Sequence, residues 1–253
     1  PGAGVPEAAR HTCGIVHDRL PASDFVGRLA ELTVFDRAIA DARNGLPSVV
    51  LVGGDAGIGK TTIVSESAVR AGVGLYLGRS THIGGDTIPL APLADLVRQV
   101  RRSKPDLLTE APALAALQQW FAPGAAVHEL NGSPHGGLFV AVLELISHLA
   151  ADAAVVVGFE DLHWADTVTW DLFEYLARNL IDEQVVLVGT YRANEVAIHP
   201  SQRRQLAELS RLPAVHRLNL EGLGRDEIAQ RVAVLLDGPA PSALVDQVLA
   251  RGR

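Results

Sequence analysis

Methionine is absent from these 253 residues, cysteine occurs once, and lysine occurs only twice, at Lys60 and Lys104. A lone thiol, Cys13, can close no internal disulfide and cannot furnish a thiolate cluster for zinc, which excludes a disulfide scaffold and a zinc-ribbon module. Cys13 is read as an incidental thiol. No apolar run approaches the ~20 residues that cross a bilayer, and no basic segment followed by an apolar core opens the chain. A membrane partner is therefore not expected, and the expected location is cytoplasmic. Excess positive charge is also lacking: the formal net charge of −7 argues against a direct grip on a nucleic-acid backbone. The many arginines beside so few lysines fit a GC-rich coding bias better than a phosphate-binding design. A first residue of Pro1, with no Met anywhere, marks the sequence as an expected piece of a longer chain.

What is present begins with 48% hydrophobic residues, enough for one large α/β domain and a small companion. The organising stretch is Val49-Val50-Leu51-Val52-Gly53-Gly54-Asp55-Ala56-Gly57-Ile58-Gly59-Lys60-Thr61-Thr62. An apolar run leads into G-x4-G-K-[ST], and a helix start follows it, which is the strand, phosphate loop and helix of a P-loop. The glycines Gly54, Gly57 and Gly59 let the backbone coil with its N–H groups aimed at phosphate oxygens, Ala56 and Ile58 are read as nucleotide-binding positions of the same loop, and the helix adds its positive dipole end. Lys60, read as a lysine on a solvent-facing loop, is expected at the β- and γ-phosphates. Thr61 is expected on Mg²⁺, and Thr62 near the α-phosphate. The last glycine of G-x-G-x-x-G is missing, so a dinucleotide site is not supported and a triphosphate such as ATP is the expected ligand.

Along the chain, residues 1–22 are Gly-, Ala- and Pro-rich and read as a linker or N-terminal arm. A helix is predicted over about 28–43, then the turn at Asn44-Gly45-Leu46-Pro47 and the strand 48–53. The helix after Lys60 should stop at Gly72, and Gly74 to Gly78 reads as a short second strand. Helical pieces fill 81–134, ending in a loop at Asn131-Gly132-Ser133-Pro134, and Leu138, Val142, Leu145, Ile146 and Leu149 define an amphipathic helix. Two continuous apolar runs, Ala153 to Phe159 and Val185 to Tyr191, have the signature of strands buried on both faces, and a short strand over 215–220 follows. The first run ends on Glu160-Asp161 and the second on Arg192, and a helix capped by Asp166 lies between them. Two helices after residue 222 form the start of a small bundle, giving the division 1–22 arm, 23–222 core, 223–253 helical lid. Alternating buried strands and helices produce a parallel sheet with helices on both faces.

In a P-loop NTPase, strand-end acids hold Mg²⁺ and prepare the attacking water, and a polar group on the neighbouring strand senses the γ-phosphate. Glu160 and Asp161 occupy the first place and Arg192 the second, which makes Lys60, Glu160, Asp161 and Arg192 the candidate catalytic residues and Thr61, Glu160 and Asp161 the candidate metal ligands. The division of labour between the two acids is open. His163 is read as shaping the loop, and Trp164 as a packing anchor.

These residues resemble the STAND class of P-loop ATPases, in the branch of large ATP-binding regulators of the LuxR type. Phe25-Val26-Gly27-Arg28 with Glu31-Leu32 resembles the family's segment ahead of the P-loop, Glu160-Asp161-Leu162-His163-Trp164-Ala165-Asp166 its [DE]-D-L-H-W-A-D motif, and Gly189-Thr190-Tyr191-Arg192 its sensor strand. The resemblance implies an ASCE/AAA+-like sheet with a strand inserted between the P-loop strand and the acidic strand, followed by a helical lid. It also implies that Val26, Gly27 and Arg28 pack around adenine. Glu160 departs from the Asp common in relatives, and Leu220-Glu221-Gly222-Leu223 lacks their Pro. The implied function is an ATP-binding, slowly hydrolysing regulatory switch using ATP/ADP and Mg²⁺. Its implied partners are attached sensor and output domains in a longer chain and further copies of itself on ATP binding. A nucleotide-locked scaffold without turnover and a ring-forming AAA+ motor or loader are the alternatives.

Overall fold

The computed structural model describes residues 26–84, 86–109, 111–121 and 136–251. The expected arm over 1–22, Cys13, Phe25 and the loop 131–134 lie outside the described residues. In chain order the elements are α1 (Leu29–Arg43), β1 (Ser48–Gly54), α2 (Lys60–Ala71), β2 (Gly74–Arg79), a hairpin of β3 (His82–Ile83) and β4 (Asp86–Thr87), α3 (Ala91–Ser103), and α4 (Pro112–Trp120). Then come α5 (Gly136–Leu149), β5 (Val155–Glu160), α6 (Thr167–Asn179), β6 (Val185–Tyr191), α7 (Ala193–Ile198), α8 (Pro200–Leu209), β7 (Val215–Leu220), α9 (Arg225–Leu236) and α10 (Ser242–Arg251). Short 3-10 turns occupy Pro105–Thr109 and Leu162–Trp164.

The apolar runs make strands because their β-branched side chains suit a pleated surface, and because both faces are covered. The five-stranded sheet has the order β2-β5-β6-β1-β7, every neighbouring pair parallel. β6 thus lies between the P-loop strand β1 and the acidic strand β5, as the resemblance implied. Alternate residues face opposite layers. Val49, Leu51, Tyr76, Val155, Val157, Val185 and Leu187 pack under α3, α5, α6 and α8, whereas Val50, Val52, Leu77, Val156, Val186 and Val188 pack under α1 and α2. Each such Val or Leu taken out of water stabilises the fold by about 1.5–3 kcal/mol. α3 approaches β2 so closely that a Cβ on Gly78 would meet the backbone of Pro92.

Local chemistry sets the helix ends. Gly72, at φ 64°, terminates α2 and returns its N–H to the carbonyls of Ala68 and Val69. Asp166 caps α6 by accepting from the Val168 N–H at 3.1 Å, as the sequence predicts, and its other oxygen accepts from the Leu90 N–H at 3.1 Å. The hairpin β3–β4 and the helices α7 and α8 were not anticipated. Two-residue strands carry no periodicity, and the stretch 193–209 is polar and is broken by Pro200. Among the described residues, no helix is long and apolar enough to cross a membrane.

Candidate functional site

The three inner strands of the sheet end together, and their C-terminal ends carry the groups singled out in the sequence. After β1 the chain coils through Gly54, Gly57 and Gly59, with φ of 152°, 72° and 101°, and enters α2 at Lys60. Gly57 and Gly59 hold left-handed backbone that any side chain would strain. Ala56, Gly57 and Thr62 are exposed, Ile58, Gly59 and Thr61 half-buried. Lys60 is not on a solvent-facing loop. It is the first residue of α2, 8% exposed, and its Nζ donates to the carbonyls of Gly54 at 2.8 Å and Asp55 at 2.7 Å. Burial pulls its ammonium below the ordinary lysine value, an effect that Asp161 opposes and Arg192 reinforces.

Across the sheet, Glu160 is 3% exposed at the end of β5. One carboxylate oxygen meets the Thr61 hydroxyl and the other accepts from Arg79 at 3.2 Å. A buried carboxylate is tolerated only with such partners. Asp161 turns the chain with φ 56°, its N–H donating to the Thr190 hydroxyl at 3.0 Å, and its carboxylate lies 4.0 Å from Arg79 Nε. Thr61, Glu160 and Asp161 therefore converge.

Arg192, at the end of β6, lies with its guanidinium carbon 4.8 Å from the centre of the Trp164 ring. Its Nη1 donates to Glu195 at 2.5 Å, while its buried Nε has no hydrogen-bond partner. His163 sits beneath: its side chain is fully buried, its Nδ1 accepts from the Arg192 N–H at 3.4 Å, and its Nε2 faces Glu195 at 3.6 Å. Burial holds this imidazole below the ordinary histidine value. His163 thus shapes the loop, as expected from the sequence, and Trp164 forms a platform under a cation as well as a packing anchor.

The segment Val26-Gly27-Arg28 closes the opposite side. Arg28, 9% exposed at φ 62°, donates from its guanidinium to the carbonyls of Ile58 at 3.4 Å and Glu221 at 2.5 Å and pairs with Glu31 at 3.0 Å. Its backbone N–H donates to Glu227 of α9 at 3.1 Å, and a Cβ on Gly27 would collide with the same glutamate. Glu227 also accepts from the Gly224 N–H at 2.8 Å. This is the returning half of a capping box, since glycine has no side chain to complete it. Arg28 therefore ties the phosphate loop to the chain leading into α9.

Arg79, Glu195 and Glu227 were not found from the sequence. An arginine among twenty has no signature, and the roles of Arg79 and Glu227 depend on partners 81 and 199 residues away. Glu195, three residues after Arg192 on a short helix, was the one within reach of a local reading.

Residues 24–188 match the family model of the AAA ATPase domain. No curated protein matches the chain. Among solved structures it is similar to a signal transduction ATPase with numerous domains carrying a tetratricopeptide repeat sensor, from Pyrococcus horikoshii, at 16% identity and a TM-score of 0.49 over 88% of this chain and 27% of that one. It is similar also to Cdc6p from Pyrobaculum aerophilum, at 15% identity and a TM-score of 0.46 over 92% and 53% of the two chains. A RuvB variant from Thermotoga maritima matches at 16% identity and a TM-score of 0.46 over 87% and 55%. The chain spans about a quarter of the first structure and little more than half of the other two.

Proposed function

Because the chain belongs to the AAA ATPase domain family, we propose that it is an ATP-binding, slowly hydrolysing switch domain of the STAND class, in the branch of the large LuxR-type regulators. The observation that carries the proposal is the convergence of Lys60 and Thr61 at the start of α2 with Glu160, Asp161 and Arg192 at the ends of β5 and β6. Residues 23–222 act as the core, and α9 and α10 form the start of a lid that carries the nucleotide state to attached sensor and output domains.

The residues fit a magnesium nucleotide. Glycines in left-handed backbone leave loop N–H groups free to face phosphate, and Lys60 adds an ammonium at the same helix start. Mg²⁺ held by Thr61 and the acid pair would supply neutralising charge between the terminal phosphate oxygens. The contact between Thr61 and Glu160 favours Glu160 as the acid on the metal side and leaves Asp161 to orient the attacking water. Arg192, pairing with the terminal phosphate, makes the site tell ATP from ADP. Val26, Gly27 and Arg28 border the base.

Calorimetric titration with ATP analogue and ADP, joined to hydrolysis rates at several protein concentrations, tests the reading. Micromolar binding with slow turnover independent of concentration is the expected result. Steeply concentration-dependent turnover means a ring-forming motor, and binding with no turnover means a locked scaffold.

A further inference from the structure

Glu195 stands where a positive charge is needed for catalysis, and nothing in the proposed hydrolysis uses it. Its carboxylate holds the guanidinium of Arg192 by Nη1 at 2.5 Å, on the Trp164 ring. Its other oxygen lies 3.6 Å from Nε2 of the fully buried His163. Because His163 Nδ1 faces the Arg192 N–H as an acceptor, the neutral ring keeps its proton on Nε2, toward Glu195. Glu195 is therefore held by the Arg192 guanidinium and faces the buried imidazole edge, whose Nε2 has no hydrogen-bond partner.

We infer that Glu195 is a specificity-determining residue: it is the internal counter-ion that occupies Arg192 until a terminal phosphate displaces it. The inference rests on the assignment of Arg192 to that phosphate. A guanidinium has a limited set of donors, and Nη1 engaged with a carboxylate is withdrawn from a phosphate oxygen on the same side. A γ-phosphate that approaches Nη1 therefore competes with Glu195 for it, whereas the β-phosphate of ADP leaves the pair intact. Like charge acts in the same direction, since a carboxylate at this place repels a triphosphate more than a diphosphate. Trp164 gives the released guanidinium a surface along which to swing without losing its apolar contact. Glu195 thus lowers the preference for ATP over ADP, and so sets the nucleotide ratio at which the switch turns.

The test is the pair of dissociation constants, for a non-hydrolysable ATP analogue and for ADP with Mg²⁺, in wild type, Glu195→Gln, Arg192→Ala and the double variant. Glutamine keeps the shape and removes the charge. For a partly exposed ion pair the expected gain in analogue affinity on Glu195→Gln is about two- to fivefold, with ADP unchanged. That gain should vanish in the Arg192→Ala background, and Glu195→Asp, which keeps the charge on a shorter arm, should fall between wild type and Gln. Equal changes for both nucleotides, a loss of analogue affinity, or a gain that persists without Arg192 would each overturn the counter-ion role. If Arg192→Ala weakens both nucleotides equally, the assignment of Arg192 itself fails and the inference falls with it. An ATP-selective loss in Arg192→Ala beside an unmoved ratio in Glu195→Gln sinks the inference alone.

Discussion

Lys60 donates to two carbonyls of its own loop, so its replacement acts twice. Lys60→Ala removes the ammonium expected at the phosphates and leaves two carbonyls without their donor. Affinity for ATP should fall by about tenfold to a hundredfold or more, and stability by on the order of 1 kcal/mol, read by titration calorimetry and a denaturant curve. Unchanged ATP affinity would remove the loop from the site. The acids should separate in kind. Glu160→Gln is expected to abolish the dependence of analogue binding on Mg²⁺, whereas Asp161→Asn keeps that dependence and loses hydrolysis by orders of magnitude. Near-normal turnover in both variants would take the acidic strand end out of the mechanism. These residues were legible because each sits within a few positions of an apolar run, where spacing alone defines its place. Thr190, which orients Asp161, lay in view in the sensor segment without a role, because its partner comes from another strand.

At the scale of elements, α9 begins on a contact with Arg28, in the segment proposed to border the base. Hydrogen bonds from the N–H groups of Gly224 and Arg28 hold the Glu227 carboxyl below the ordinary glutamate value. A carboxyl depressed in the folded state binds fewer protons there than in the unfolded chain. Its stabilisation is therefore complete above the unfolded value near ~4.3 and is lost as pH falls through the lower folded one. Glu227→Gln should accordingly weaken the fold, or loosen α9, by on the order of 1 kcal/mol at neutral pH, and the difference from wild type should close in acid. Stability curves at several pH values decide this, and a pH-independent difference would mean that the charge on Glu227 is irrelevant. The helices α1, α2 and α6 were readable to within a residue or so because stop and start signals flank them: Gly72 after α2 and Asp166 before α6. α7 and α8 were not, since their buried contacts are few and come from Val196, Leu206 and Leu209.

For the whole molecule, burial on both faces of the sheet could be read from continuous apolar runs, whereas strand order could not. A continuous apolar run says that Val185 to Tyr191 is inside. It does not say that this strand lies between β1 and β5, which came only from the family resemblance. Close packing between layers is equally hidden from spacing: Gly78 looks like an incidental glycine until Pro92 is seen above it. Gly78→Ala should cost about 1–3 kcal/mol through displacement of α3 from β2, measurable as a lower denaturant midpoint; an unchanged midpoint would show that the layers can part freely. The strand order also has a consequence in time. β1 pairs with β6 and β7, and Ser48 waits for Val186, some 138 residues further along the chain. At ~5–20 residues per second of synthesis, this buried strand leaves the ribosome roughly 7–30 s before either neighbour exists. During that interval the nascent chain lacks both partners for its first strand, leaving edges of the aggregation-prone kind exposed, and a phosphate loop already translated has no acidic wall to face.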